Sequence, residues 1–167
     1  MNSDDFRSKE VNHAALVSVI AALLLTILKV AVGIMSGSIG VISEALHSAL
    51  DLAAAGITFI AVRRASVAPD PDHQYGHGKI ENFSALVETI LLWITAAWII
   101  SEALRIIRLE EWPEPTLAGI IVMIISIVVN IERSKVLYSA AEKHGSQALE
   151  ADALHFITDG LSSIVVL

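Results

Sequence analysis

Long apolar runs alternate with short polar links along this chain. The runs Ala14–Met35, Ile39–Val62, Phe83–Ile107, Leu117–Leu137 and Leu149–Leu167 each approach the length, about 20 residues, with which a helix crosses a hydrocarbon core of roughly 30 Å. The pattern predicts an all-α polytopic transmembrane bundle of five spans. Its longest polar link, Arg63–Lys79 (RRASVAPDPDHQYGHGK), carries the Pro and Gly of a loop, and Trp112-Pro113-Glu114-Pro115 marks a second turn. The N-terminal MNSDDFRSKEVNH leads into a full-length apolar run without an A-x-A-like cleavage site, so the first span is expected to stay in the membrane.

Composition supports this reading. With 54% hydrophobic and 17% charged residues among 167, and a mean hydropathy of +0.66, the chain is too apolar for a soluble domain. Its formal charge is −7 and its few basic residues follow no nucleic-acid pattern, so nucleic acid is not an expected partner. Cysteine is absent, which removes disulfides, thiolate ligands and a Cys nucleophile, and disfavours Cu(I). With the N-terminus cytoplasmic, the inner segments hold Arg7, Lys9, Arg63, Arg64, Lys79, Arg133, Lys135 and Lys143, against Arg105 and Arg108 outside. The positive-inside rule selects that orientation. Lys29 falls within the first span and is expected to snorkel towards its outer end.

One octet occurs twice. Glu44-Ala-Leu-His47-Ser-Ala-Leu-Asp51 lies in the second span and Asp152-Ala-Leu-His155-Phe-Ile-Thr-Asp159 in the fifth. Four helical residues advance about 6 Å and return to nearly the same face, so each span offers one imidazole and one carboxylate on a single stripe. At 1.5 Å per residue His47 and Asp51 lie roughly 14 and 20 Å from the outer edge, and His155 and Asp159 about 12 and 18 Å from the inner edge. All four are expected near mid-membrane, where an unpaired ionised Asp costs at least ~3 kcal/mol. A divalent cation resolves the conflict, since two carboxylates balance its charge and two neutral imidazoles complete a four-coordinate set suited to Zn(II). Mg and Ca prefer oxygen-only shells. Cd(II), Co(II), Fe(II) and Mn(II) follow in falling order. The contrasting expectation is that each His and Asp pair only within their own helix, fixing its packing.

Other polar residues are less specific. Glu44 and Asp152 share the faces of their histidines and are candidates for supporting partners, for proton relays or for water-facing acids. Asp70, Asp72, His73 and His77 cluster in the loop, with Gly76 and Gly78 beside His77, at a spacing that suits either a second cation site or a solvated loop. Glu88 lies inside the third span, with a functional or pairing role and a cavity-facing position equally open. His13 and His144 look isolated, and Trp93 and Trp98 suit packing or the membrane interface. Because protons compete with a metal for His and Asp, binding on one face and release on the other can be coupled to proton entry. No H-E-x-x-H motif is present, which argues against a membrane metalloenzyme, and the Asp four residues after each His has no purpose in a bis-His haem protein.

LLLTILKVAVGIMSGSIGVISEALHSALD, PDHQYGHGKIENFSALVE and GSQALEADALHFITDG resemble the first two helices, the second loop with the third helix, and the fifth helix of the cation diffusion facilitator family. The resemblance covers nearly the whole chain. It implies a transported cation at His47, Asp51, His155 and Asp159, a set associated with zinc selectivity, and a second zinc at Asp70, His73 and His77 in some members. It also implies a homodimer in the plasma membrane exchanging cytoplasmic Zn(II) for external protons, without enzymatic chemistry. Set against the family pattern, the chain is expected to correspond to a transmembrane cation efflux domain over residues 1–167, carrying five of six expected helices up to Leu167 in the fifth span and lacking the sixth helix and the cytoplasmic C-terminal domain. A metal-stabilised, non-transporting scaffold is the alternative.

Overall fold

The computed structural model describes residues 3–67, 70–71, 73–109 and 116–166. Five helices make up the described chain: α1 (Ser3–Ser36), α2 (Ile39–Ala65), α3 (Lys79–Leu109), α4 (Leu117–His144) and α5 (Gln147–Val166). The expected turn at Trp112–Pro115, the end of the fifth span at Leu167, and Asp72 lie outside the described residues. Among the described residues, four helices are long and apolar enough to cross a bilayer. The fifth, α5, has the length at 20 residues but carries Glu150, Asp152 and Asp159. The protein is an integral membrane protein.

Helix ends follow local chemistry. Ser38 caps α2 by accepting from the Val41 N–H, and Thr116 caps α4 by accepting from the Gly119 N–H. Gly145 closes α4 in the left-handed region at φ 65°, and the Gly145 and Ser146 N–H groups both donate to the Ala141 carbonyl. With two residues between them, α4 and α5 form a tight antiparallel hairpin, as α1 and α2 do at the opposite end.

Two helices outrun their apolar cores. Helix α1 begins at Ser3, well before Ala14, and its polar residues Arg7 and Glu10 dock on the end of α4. Glu10 there pairs with Lys143 at 2.6 Å and with His144 at 2.5 Å, and Arg7 donates to the His144 carbonyl. His144 is therefore held by a hydrogen-bond contact with Glu10 rather than isolated. Helix α4 correspondingly runs to His144 instead of Leu137.

The helices close a circuit: α1 packs on α2 and α4, α5 on α4 and α3, and α3 on α2. Helices α2 and α5 also meet across the middle, which brings the two octets together. Leu24, Ile27, Ile34, Trp93 and Ile94 point outwards, whereas Ala15, Ala22, Ala55, Ala148 and Ala153 fill the interior beside Ser18, Thr58 and Ser126. Lipid is as apolar as leucine, so small and hydrogen-bonding residues take the helix interfaces. Val62, Leu137, Leu149 and Phe156, all fully buried, pack in a cluster that also holds Val11 and Ala141. That half of the bundle, towards the Gly145 turn, is dense.

Near the opposite turn, α1 and α2 approach so closely that a Cβ on Gly33 would lie 3.0 Å from Ile42 Cγ1 and 3.2 Å from the Ile42 nitrogen. Gly33→Ala is expected to destabilise the protein in detergent by about 1–3 kcal/mol, the usual cost of overpacking. Thermal denaturation of Gly33→Ala with and without Ile42→Ala checks it; the second substitution should recover only the part owed to the Cγ1 contact, because the backbone nitrogen stays in place.

Candidate metal centre

Helices α2 and α5 each turn their His-x-x-x-Asp stripe towards the other, and the four side chains form an alternating ring. His155 Nε2 lies 3.2 Å from Asp51 Oδ1 and 3.3 Å from Asp159 Oδ2, while His47 Nε2 lies 3.8 Å from Asp51 Oδ1 and 3.8 Å from Asp159 Oδ1. Each imidazole thus faces both carboxylates, one from its own helix and one from the other. Helix-local pairing alone does not describe this geometry. With metal–ligand bonds of about 2.0 Å, the edges of a tetrahedron are about 3.3 Å, close to the spacing of the His155 side of the ring. His47, Asp51 and Asp159 each bring a donor atom within 4.8 Å of the other two, His155 falls outside that set, and the ring would have to contract for all four to bind one ion. The four side chains are 5–14% exposed, so the carboxylates have lost most of their water.

The surroundings hold buried charge that sequence reading placed elsewhere. Lys29, 3% exposed, does not snorkel: its Nζ lies 3.2 Å from Glu44 Oε2 and donates to Ser48 Oγ at 2.8 Å. Arg133 is not in a solvated inner segment. Its Nη2 donates to Ser18 Oγ at 2.9 Å, Ser18 donates to Asp152 Oδ2 at 3.2 Å, and its guanidinium lies 3.6 Å above the Phe156 ring. Asp152 itself is fully buried. Glu88, also buried, accepts hydrogen bonds from Thr58 and Ser84 at Oε1, whereas its buried Oε2 has no hydrogen-bond partner among the described residues. The signal for Lys29 and Arg133 was their position within apolar runs, where a charge needs a partner.

A cavity of about 460 Å³ reaches His47, Asp51 and Asp159 from the end where α2 begins and α3 finishes, passing Ser43, Glu44 and Arg105. Trp98 stands in its wall, whereas Trp93 faces outwards.

The loop residues also converge. Asp70 Oδ1 lies 3.1 Å from His73 Nδ1 and Asp70 Oδ2 lies 3.6 Å from His77 Nε2, with the two imidazole centroids 4.5 Å apart. Gly76, at φ 76°, supplies the turn that brings His77 back. Desolvation, the largest single influence, raises the Asp70 carboxyl, but hydrogen bonds from the His73 backbone and ring, with the charges of both histidines, together outweigh it and hold the carboxyl below its ordinary value. His13 is exposed and joins neither cluster.

Residues 15–167 match the family model described as the cation efflux transmembrane domain. The chain is 35% identical over 159 residues to an uncharacterized transporter of Methanocaldococcus jannaschii, covering 95% of this chain and 56% of that protein. It is 31% identical to the cation-efflux pump FieF of Shewanella oneidensis, covering 94% and 53%, and 32% identical to metal tolerance protein C1 of Arabidopsis thaliana, covering 86% and 34%. The chain therefore spans about half the length, or less, of these curated relatives.

Two outcomes follow from the geometry. Arg133→Met should destabilise the bundle by about 3 kcal/mol, since it strands Asp152 without a counter-charge, and adding Asp152→Asn should restore much of the loss in a denaturation experiment. In the loop, the Asp70–histidine contacts should persist as pH falls past the ordinary carboxylate value of 3.8 and be lost only on passing through the lowered one. NMR titration of the Asp70 carboxyl checks this; a midpoint at or above the ordinary value contradicts it.

Proposed function

The chain belongs to the cation diffusion facilitator family, and from that premise we propose that it carries divalent metal cations, Zn(II) foremost, out of the cytoplasm in exchange for protons. The observation that carries the reading is the alternating ring of His47, Asp51, His155 and Asp159. Two carboxylates neutralise one divalent ion, and two imidazoles on facing helices complete an N2O2 shell. Zn(II) accepts four such donors without preference for a higher coordination number. Cd(II), Co(II), Fe(II) and Mn(II) are weaker candidates for the same shell.

Transport requires that the ring be reached from one side at a time. The cavity gives access from the end where α2 begins, while the packing around Leu149, Phe156 and Leu137 closes the other end. With the N-terminus cytoplasmic, this arrangement is the outward-open one, and alternating access consists of α2 and α5 carrying their shared ring between the two exposures. Imidazole and carboxylate must be deprotonated to hold the ion, so protons entering from outside displace it and return inwards on the same residues. The loop triad Asp70, His73 and His77 is a second Zn(II) site on the cytoplasmic face, and the working unit is a homodimer in the plasma membrane.

Zn(II) titration and liposome flux test this reading. Asp51→Ala and Asp159→Ala should each weaken Zn(II) binding by about 100-fold, equivalent to roughly 3 kcal/mol. His73→Ala with His77→Ala should remove one bound Zn(II) and leave the other. The protein reconstituted at full length should move Zn(II) when a pH gradient is imposed. Unchanged affinity and stoichiometry in both aspartate variants would disprove the ring as the site; intact binding without flux would disprove transport.

A further inference from the structure

A cation released from the ring enters a cavity whose wall holds a buried ammonium, an unusual neighbour for a site that binds positive ions. That ammonium belongs to Lys29 and has two acceptors: Glu44 Oε2 at 3.2 Å and Ser48 Oγ at 2.8 Å. Among the described residues lining the cavity, Glu44 is the one carboxylate outside the ring. It stands one helical turn before His47, about 4.5 Å along the axis, on the side towards the mouth. Its side chain is 37% exposed while that of Lys29 is 4% exposed, so the carboxylate meets water and its partner does not. The corresponding acid of the second octet, Asp152, is sealed at the dense end behind Ser18 and Arg133.

We propose that Lys29 and Glu44 form a transient cation site in the mouth of the cavity, in which Glu44 takes the divalent ion from the ring while Lys29 retreats to Ser48. The inference rests on the transport reading above. Lys29 acts as a tethered competitor. When the ion is at Glu44, the ammonium keeps its hydrogen bond to Ser48 and leaves the carboxylate free to coordinate. When Lys29 swings back it neutralises Glu44 and expels the ion towards solvent, so the ion does not linger one turn from the ring. No bond is made or broken beyond metal–oxygen coordination, and the wall returns to its starting charge after each ion.

Zn(II) binding in detergent and Zn(II) flux in liposomes, measured on wild type, Glu44→Gln, Lys29→Met and the double variant, separate this role from simple charge balance. Glu44→Gln should cut flux about tenfold, and Lys29→Met should retain Zn(II) at the unopposed carboxylate, seen as extra or tighter binding with slower release. The double variant removes both charges, so ring affinity should stay within about threefold of wild type while flux remains low. Wild-type flux in Glu44→Gln or in the double variant would overturn the proposal, and so would loss of Zn(II) binding in the double variant, which would make the pair a support for the ring. Absence of flux from the wild type itself would instead defeat the transport reading.

Discussion

Two carboxylates facing one another in an apolar bundle are the constraint on which the rest of this structure depends. Asp51 and Asp159 share the same two imidazoles, largely out of contact with water. Their mutual repulsion and lost hydration disfavour a closed, empty ring. A divalent cation or incoming protons can relieve the strain, which makes the same residues suited both to holding an ion and to releasing it. Its donors come from two helices, so a shift of α2 against α5 alters the two cross-helix distances, His47–Asp159 and His155–Asp51, and leaves the two within a helix unchanged.

The other buried charges are arranged so as not to disturb that balance. Lys29 is matched by Glu44, and Arg133 reaches Asp152 through the Ser18 hydroxyl. One pair flanks the open cavity and the other sits in the packed half. A bilayer interior makes an unmatched ion costly, so each of these two cations lies near an acid. The octet repeat thus extends beyond His and Asp. In each case the acid three residues before the histidine has a cationic partner on the preceding helix of its hairpin, Lys29 on α1 for α2 and Arg133 on α4 for α5.

Periodicity and motif spacing made much of this legible. All five helices were visible as apolar runs, four of them long and apolar enough to cross a bilayer, and the donors of the ring were visible because His and Asp recurred four residues apart in two of the five. The extensions of α1 and α4 were not visible, since SDDFRSKEVNH carries no apolar stripe and docks through Glu10 on Lys143 and His144. Lys29 and Arg133 were misplaced for a related reason. A long basic side chain in an apolar run can reach for the membrane surface or for an internal acid, and only the position of Glu44 or of Ser18 decides which.

The sequence by itself determined an all-α membrane bundle and the pairing of one His with one Asp on a single stripe of each of two helices, because helix rise and residues per turn leave little freedom in those quantities. The tertiary structure decided that the two stripes face each other, that the cavity opens beside Glu44 while the Phe156 side is closed, and that each buried cation has its acid. These depend on how helices rotate and cross, which is set by the fit of small residues such as Gly33 against Ile42 across a whole interface. No local run of sequence records that fit.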